Sequence, residues 1–160
     1  MVGTNEDAVP AEHRRYWQYQ RELAAVADNA EPELVATVLR DPDKVMAEAA
    51  VSGHFDKRAP QLIQLGSTHF DQWATSMSEL IADHDFLARR LREWTLLKSI
   101  ILSHTWTPEE VVAATDWFQR KAVDLITEAD ALHLLAEQGR TRRVRNAADR
   151  KLRRGEAHLD

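Results

Sequence analysis

The chain has 160 residues, 44% of them apolar and 29% charged, which suffices for one domain with its own core and excludes a disordered chain. Five glycines and five prolines, no Asn-Gly or Asp-Gly dipeptide and no clean period-two run exclude a hairpin-built β fold. The net charge of −5 joins an acidic body to a basic end: residues 140–154 hold eight basic side chains and one acid, a net of +7, and the remainder holds 13 basic and 25 acidic, a net of −12.

The expected fold is all-α, with about eight short helices between a loose polar stretch at 1–9 and a loose end at 155–160. The helices form a single domain over 10–154. A first helix is expected from Pro10, which suits the first helical position because its missing N–H is not needed there. Tyr16, Tyr19, Leu23 and Val26 then fall on one face. Glu31-Pro32 opens a short helix through Leu34, Val38 and Leu39. Asp41 is the expected N-cap of the third helix, which carries Val45, Met46, Ala49 and Ala50 and stops near Gly53.

Pro60 and Gly66 bracket a short apolar piece, and a longer helix follows from Ser67 or Thr68 to about Ala82. Asp83 can cap the next, whose stripe is Leu87, Leu91, Trp94, Leu97 and Ile101. Thr107-Pro108-Glu109-Glu110 has the composition of a capping box with Pro at N1. Val111, Ala114, Phe118, Ala122 and Leu125 line the helix it starts. Another helix runs from about Glu128 to Gln138, with Gly139 as a left-handed residue after it. Thr141 can cap the last, whose apolar positions are Val144, Ala147, Ala148 and Leu152.

Two segments, LVATVLRDPDKVMAEAAVSG from Leu34 and LHLLAEQGRTRRVRNAADRKLR from Leu132, resemble HEAT-type helical repeats. Asp41-Pro42-Asp43 matches the turn of that pattern. Val45, Ala49 and Ala50, and later Val144, Arg145, Ala148 and Leu152, match its second helix. The resemblance implies a HEAT-like α-solenoid, or else an irregular helical bundle. It also implies a surface that binds proteins or nucleic acid without catalysis.

No cysteine is present, which removes disulfides and thiolate chemistry and fits a reducing cytoplasm. The N-terminal residues have no apolar stretch of a signal peptide, and no run reaches the roughly 18 apolar residues of a membrane span. A cytoplasmic location without membrane attachment is therefore expected. No phosphate-binding glycine loop and no nucleophile elbow occur, so neither a cofactor nor a catalytic residue is assigned.

Seven histidines invite a metal reading, yet His54-Phe55-Asp56 and His69-Phe70-Asp71 place His and Asp two apart, on different sides of a helix. Asp130 and His133 are three apart but alone. His84-Asp85 is similar to the His-Asp dipeptide of helical metal-dependent phosphohydrolases, but IADHDFLARR lacks the small residues that normally follow it. No metal site is expected. Asp116-Trp117 faintly resembles the groove residues of HEAT-like alkylated-base DNA glycosylases.

The expected binding residues are Arg142, Arg143, Arg145 and Arg150 on the basic end, with Trp106 and Trp117 flanking the Thr107 helix start. The functional expectation is a non-catalytic helical-repeat adaptor for a protein partner. A nucleic-acid-binding protein using the basic helix, and a small helical enzyme, are the alternatives.

Overall fold

The computed structural model describes residues 10–157, and among them the chain forms nine α-helices and no strand. Of the ends expected to be loose, residues 1–9 and 158–160 lie outside the described residues, whereas 155–157 belong to the last helix. The helices are α1 (Ala11–Ala25), α2 (Glu31–Leu39), α3 (Lys44–Leu65), α4 (Ser67–Leu80) and α5 (Asp85–Ile101). They continue with α6 (Pro108–Ala113), α7 (Asp116–Leu125), α8 (Ala129–Gln138) and α9 (Arg142–Ala157). The fold is all-α, as expected from composition and periodicity. No helix among the described residues is long and apolar enough to cross a membrane. The chain divides into two compact units, one ending at Leu91 and the other beginning at Arg92.

In the first unit α3 packs against α1, α2 and α4. Its inner face carries Met46, Ala50, Val51, Phe55, Leu62 and Ile63, all buried. Phe70, Trp73 and Met77 recur at spacings of 3 and 4 on α4 and are buried too. Trp73 meets Phe55 and Phe70 edge to face, at centroid distances of 5.2 and 5.7 Å, the arrangement that ring quadrupoles favour.

Three expectations for this unit are corrected. The third helix does not stop near Gly53: α3 runs through it and through Pro60 to Gly66, whose φ of 112° ends it. A Cβ at position 53 would lie 3.0 Å from Gln20 Nε2, so this glycine makes room for a neighbour and terminates nothing. Pro60 cannot donate to the carbonyl four residues before it, but burial of Leu62 and Ile63 one turn later keeps the chain helical.

The cap of α3 is Asp43, which accepts from Met46 N–H at 3.1 Å. Asp41 is otherwise engaged, accepting from the Asp43 N–H, the Tyr19 hydroxyl and the Arg15 guanidinium at 2.9, 2.8 and 3.0 Å. Val45 is 79% exposed and Ala49 also faces outward, so only Met46 and Ala50 of that expected stripe reach the interior.

In the second unit α8 packs closely on α9 across a short connection, α6 packs on α8 and α7 on α9. Trp94, Leu97, Phe118, Ile126, Leu135 and Val144 are buried. The capping box at Thr107 is present in both halves, Glu110 N–H to Thr107 Oγ1 and Thr107 N–H to Glu110 Oε2. The helix it opens is shorter than expected. It ends at Ala113, and Thr115 caps a new helix by accepting from Phe118 N–H. Leu125, expected on the inner stripe, is exposed as a result.

Gly139 is not left-handed. Its φ and ψ are −55° and 143°, open to any residue. Glycine is needed there because a Cβ would lie 2.5 Å from the Leu135 carbonyl oxygen and 2.9 Å from Val144 Cγ1. Thr141 caps α9 as expected, accepting from Val144 N–H at 3.1 Å.

Candidate functional site

The basic end is one helix, and its side chains divide by what they touch. Lys151 Nζ donates to the carbonyls of Val123 and Asp124 at 2.7 and 3.1 Å. It neutralises the carbonyl end of α7, where a cation is favoured. Burial pushes its pKa below the ordinary value, with the Asp124 carboxylate opposing. Arg145 donates to the Gly139 carbonyl at 2.8 Å, and Arg153 pairs with Asp149 one turn back at 2.9 Å. Arg140, just before the helix, pairs with Asp116 and donates to the Ala114 carbonyl.

Arg142, Arg143, Arg150 and Arg154 are exposed and make no ion pair among the described residues. Positions 143, 147, 150 and 154 are spaced by 4, 3 and 4, so they share a face. That face borders two adjoining cavities between α7 and α9, of 680 and 160 Å³, which share Val123, Asp124 and Ala147. Arg150 and Arg154 edge the larger, whose floor includes Val123 and Leu132. Arg143 and Arg120 edge the smaller.

Of the four arginines expected from the sequence, two therefore line this groove. Arg142 is exposed but lines neither cavity, and Arg145 turns back to the Gly139 carbonyl at the end of α8. Arg120 and Arg154 join them in space. Arg154 belongs to the same charge run, whereas nothing local marks Arg120, which α7 carries over to α9.

The two tryptophans separate. Trp106 lines a shallow groove of 570 Å³ with His104, Glu128, Asp130, His133 and Glu137. Trp117 meets the fully buried Trp94 edge to face at 5.5 Å and does not line that groove.

The histidines are held singly. His84 Nδ1 lies 2.9 Å from Glu48 Oε1, His69 is exposed, and Asp56 pairs with Arg90 at 2.6 Å. No group of three His, Asp or Glu side chains suited to a metal ion occurs among the described residues.

Sequence reasoning missed one buried polar cluster. Glu31, at the start of α2, accepts on Oε2 from His54 Nε2 at 2.6 Å and from Trp73 Nε1 at 3.0 Å. Arg58 Nε lies 3.7 Å from Glu31 Oε1. Burial pushes the Glu31 carboxyl upward, but the bonds from His54 and Trp73 and the nearby cations outweigh it and hold the pKa below the ordinary value. An ionised carboxylate only accepts, so His54 Nε2 is the donor. No local spacing announces partners 23 and 42 residues apart. The available clue was a histidine set between Val51 and Phe55 on the apolar face of a helix.

Neither a family model, nor a curated protein, nor a solved structure matches the chain.

Proposed function

We propose that the protein is a non-catalytic helical binding module whose α7–α9 groove receives an acidic, amphipathic segment of a partner protein. The observation that carries this reading is the face of Arg143, Arg150 and Arg154, which make no ion pair among the described residues and border two adjoining cavities that share Val123, the larger also lined by Leu132. Arginine at a rim with an apolar floor suits a segment that carries both carboxylates and apolar side chains. A bare phosphate backbone would use only the rim. The excess of acids in the rest of the chain would also repel it.

The HEAT-like reading of Leu34–Gly53 and Leu132–Arg153 belongs to the same proposal. Each segment forms a helix, a short turn and a second helix, α2 to α3 and α8 to α9, the unit from which binding repeats are built.

The test is fluorescence anisotropy of a labelled peptide with glutamates and leucines at helical spacing, titrated with the full chain. Binding is expected, and the double change Arg143→Glu and Arg150→Glu should abolish it. Equal binding by that variant, or no binding by the original chain, would remove the groove from consideration.

A further inference from the structure

A second cavity, in the first unit, is built from different chemistry. On α3, His54, Lys57, Arg58 and Gln61 are spaced by 3, 1 and 3, so they present four polar side chains on one face. That face borders a cavity of 180 Å³, closed on the other side by Gln20, Leu23 and Ala24 of α1 and by the stretch from Val26 to Asp28. The cavity is partly open, and its size suits a small organic acid better than a peptide.

The charges of this cavity are arranged to receive an oxyanion. Glu31 is an acid at the wall, but His54 and Trp73 both donate to its Oε2, and Arg58 stands beside Oε1. The His54 ring is held at the wall by its Nε2 bond to Glu31. Lys57 is exposed and makes no ion pair among the described residues. The second acid is Asp28, whose carboxylate lies 2.6 Å from Arg58 Nη2. Asp28 sits on a single 3-10 turn before α2, and its side chain is 85% exposed. It is a carboxylate held on the guanidinium from outside, at little depth. The guanidinium is thus already oriented to bind a carboxylate, its planar fork matching that group.

The geometry points to a binding site for a small oxyanion, an organic carboxylate or inorganic phosphate, held by Lys57 and Arg58 beside His54 in competition with Asp28. The competition is the part a merely structural ion pair does not share. Removing the Asp28 charge should strengthen binding at this site, whereas an Asp28–Arg58 pair that only ties the 3-10 turn to α3 gives no reason for that.

The experiment is nuclear magnetic resonance of the 15N-labelled full chain, titrated with succinate, with inorganic phosphate, and with sodium chloride at matched ionic strength. Saturable shifts of the amides of residues 54–61 are expected with succinate or phosphate and not with chloride. The anion giving the tighter curve identifies which source of oxyanion the site prefers. Lys57→Gln should weaken binding, and Asp28→Asn should tighten it, each by about two- to fivefold, the range of one exposed ion pair. Both positions are exposed, so neither change threatens the fold. Shifts that follow chloride equally, or an Asp28→Asn variant that binds more weakly than the original chain, would overturn the proposal.

Discussion

Glu93 on α5 receives both polar groups of Thr115: the backbone N–H at 2.9 Å and the side-chain hydroxyl at 2.6 Å. Glu93 is buried, and Thr115 also caps α7, so this carboxylate fixes where α6 gives way to α7. Glu93→Ala should lower stability by about 1–3 kcal/mol, the usual cost of stranding buried polar partners. Urea denaturation followed by circular dichroism measures it. A midpoint unchanged from the original chain would show that Thr115 interrupts the helix without help from Glu93.

Two glycines should respond in opposite directions to alanine. At Gly139 the new Cβ would press on the Leu135 carbonyl and on Val144, and a loss of about 1–3 kcal/mol is expected from overpacking. At Gly155, inside α9, a Cβ meets nothing within 4 Å. There the substitution should stabilise by at most about 1 kcal/mol, through helix propensity. Loss of stability at both positions, or at neither, would contradict the packing around Gly139.

The all-α fold was legible because helix periodicity is local. The stripe of Leu87, Leu91, Trp94, Leu97 and Ile101 can be read from spacing alone, and all but the half-buried Ile101 are buried. Caps were legible where two signals agreed, as in the box of Thr107 and Glu110. What failed was punctuation decided by distant partners. Gly53 ends a helix on local grounds, yet here it makes room for Gln20. Asp41 caps on local grounds, yet Tyr19 and Arg15 hold it. The candidate groove was half legible for the same reason. Arg143 and Arg150 announce themselves by charge, whereas Arg120 and the floor residue Val123 reach the groove only through the packing of α7 on α9. Gln119, fully buried, was not legible at all. It donates to the Val111 carbonyl and accepts from the Arg140 N–H, and no sequence rule brings those partners together.

Ala49 and Ala148 fall at the same place when their two segments are aligned by sequence, but not in the structure. Ala148 is fully buried on α9, and Ala49 is exposed on α3. Ala148→Leu should therefore cost about 1–3 kcal/mol. Ala49→Leu should change stability by no more than about 0.5 kcal/mol, as surface substitutions do. Thermal or urea melts of the two variants measure the difference. Equal destabilisation would mean that Ala49 is covered in solution.

Acid should destabilise the first unit through two carboxylates. At Glu31 and at Asp41 burial pushes the pKa up, but hydrogen bonds and nearby cations prevail and hold both below their ordinary values of 4.5 and 3.8. A carboxyl with a depressed pKa in the folded chain contributes its full stability above the unfolded value. It loses that contribution as pH falls through the folded value. The urea midpoint should therefore hold above the ordinary values and fall below them. Asp41→Asn and Glu31→Gln should each flatten that fall. An unchanged pH profile in both variants would mean that other carboxylates govern acid unfolding.

The last prediction separates a protein partner from a nucleic acid by salt. Four arginines, Arg120, Arg143, Arg150 and Arg154, edge the α7–α9 groove. If each met one phosphate of duplex DNA, the log–log slope of affinity against salt would be about −0.9 per contact, or near −3.6 in all. The acidic remainder of the chain works against such binding at every salt concentration. An acidic amphipathic peptide should depend on salt less steeply, because Val123 and Leu132 on the floor contribute apolar burial that salt does not screen. The expected outcome is peptide binding with the shallower slope, alongside duplex binding weaker than micromolar at physiological salt. Sub-micromolar duplex binding with the steep slope, lost in the Arg143→Glu, Arg150→Glu variant, would replace the protein-partner reading with a nucleic-acid one.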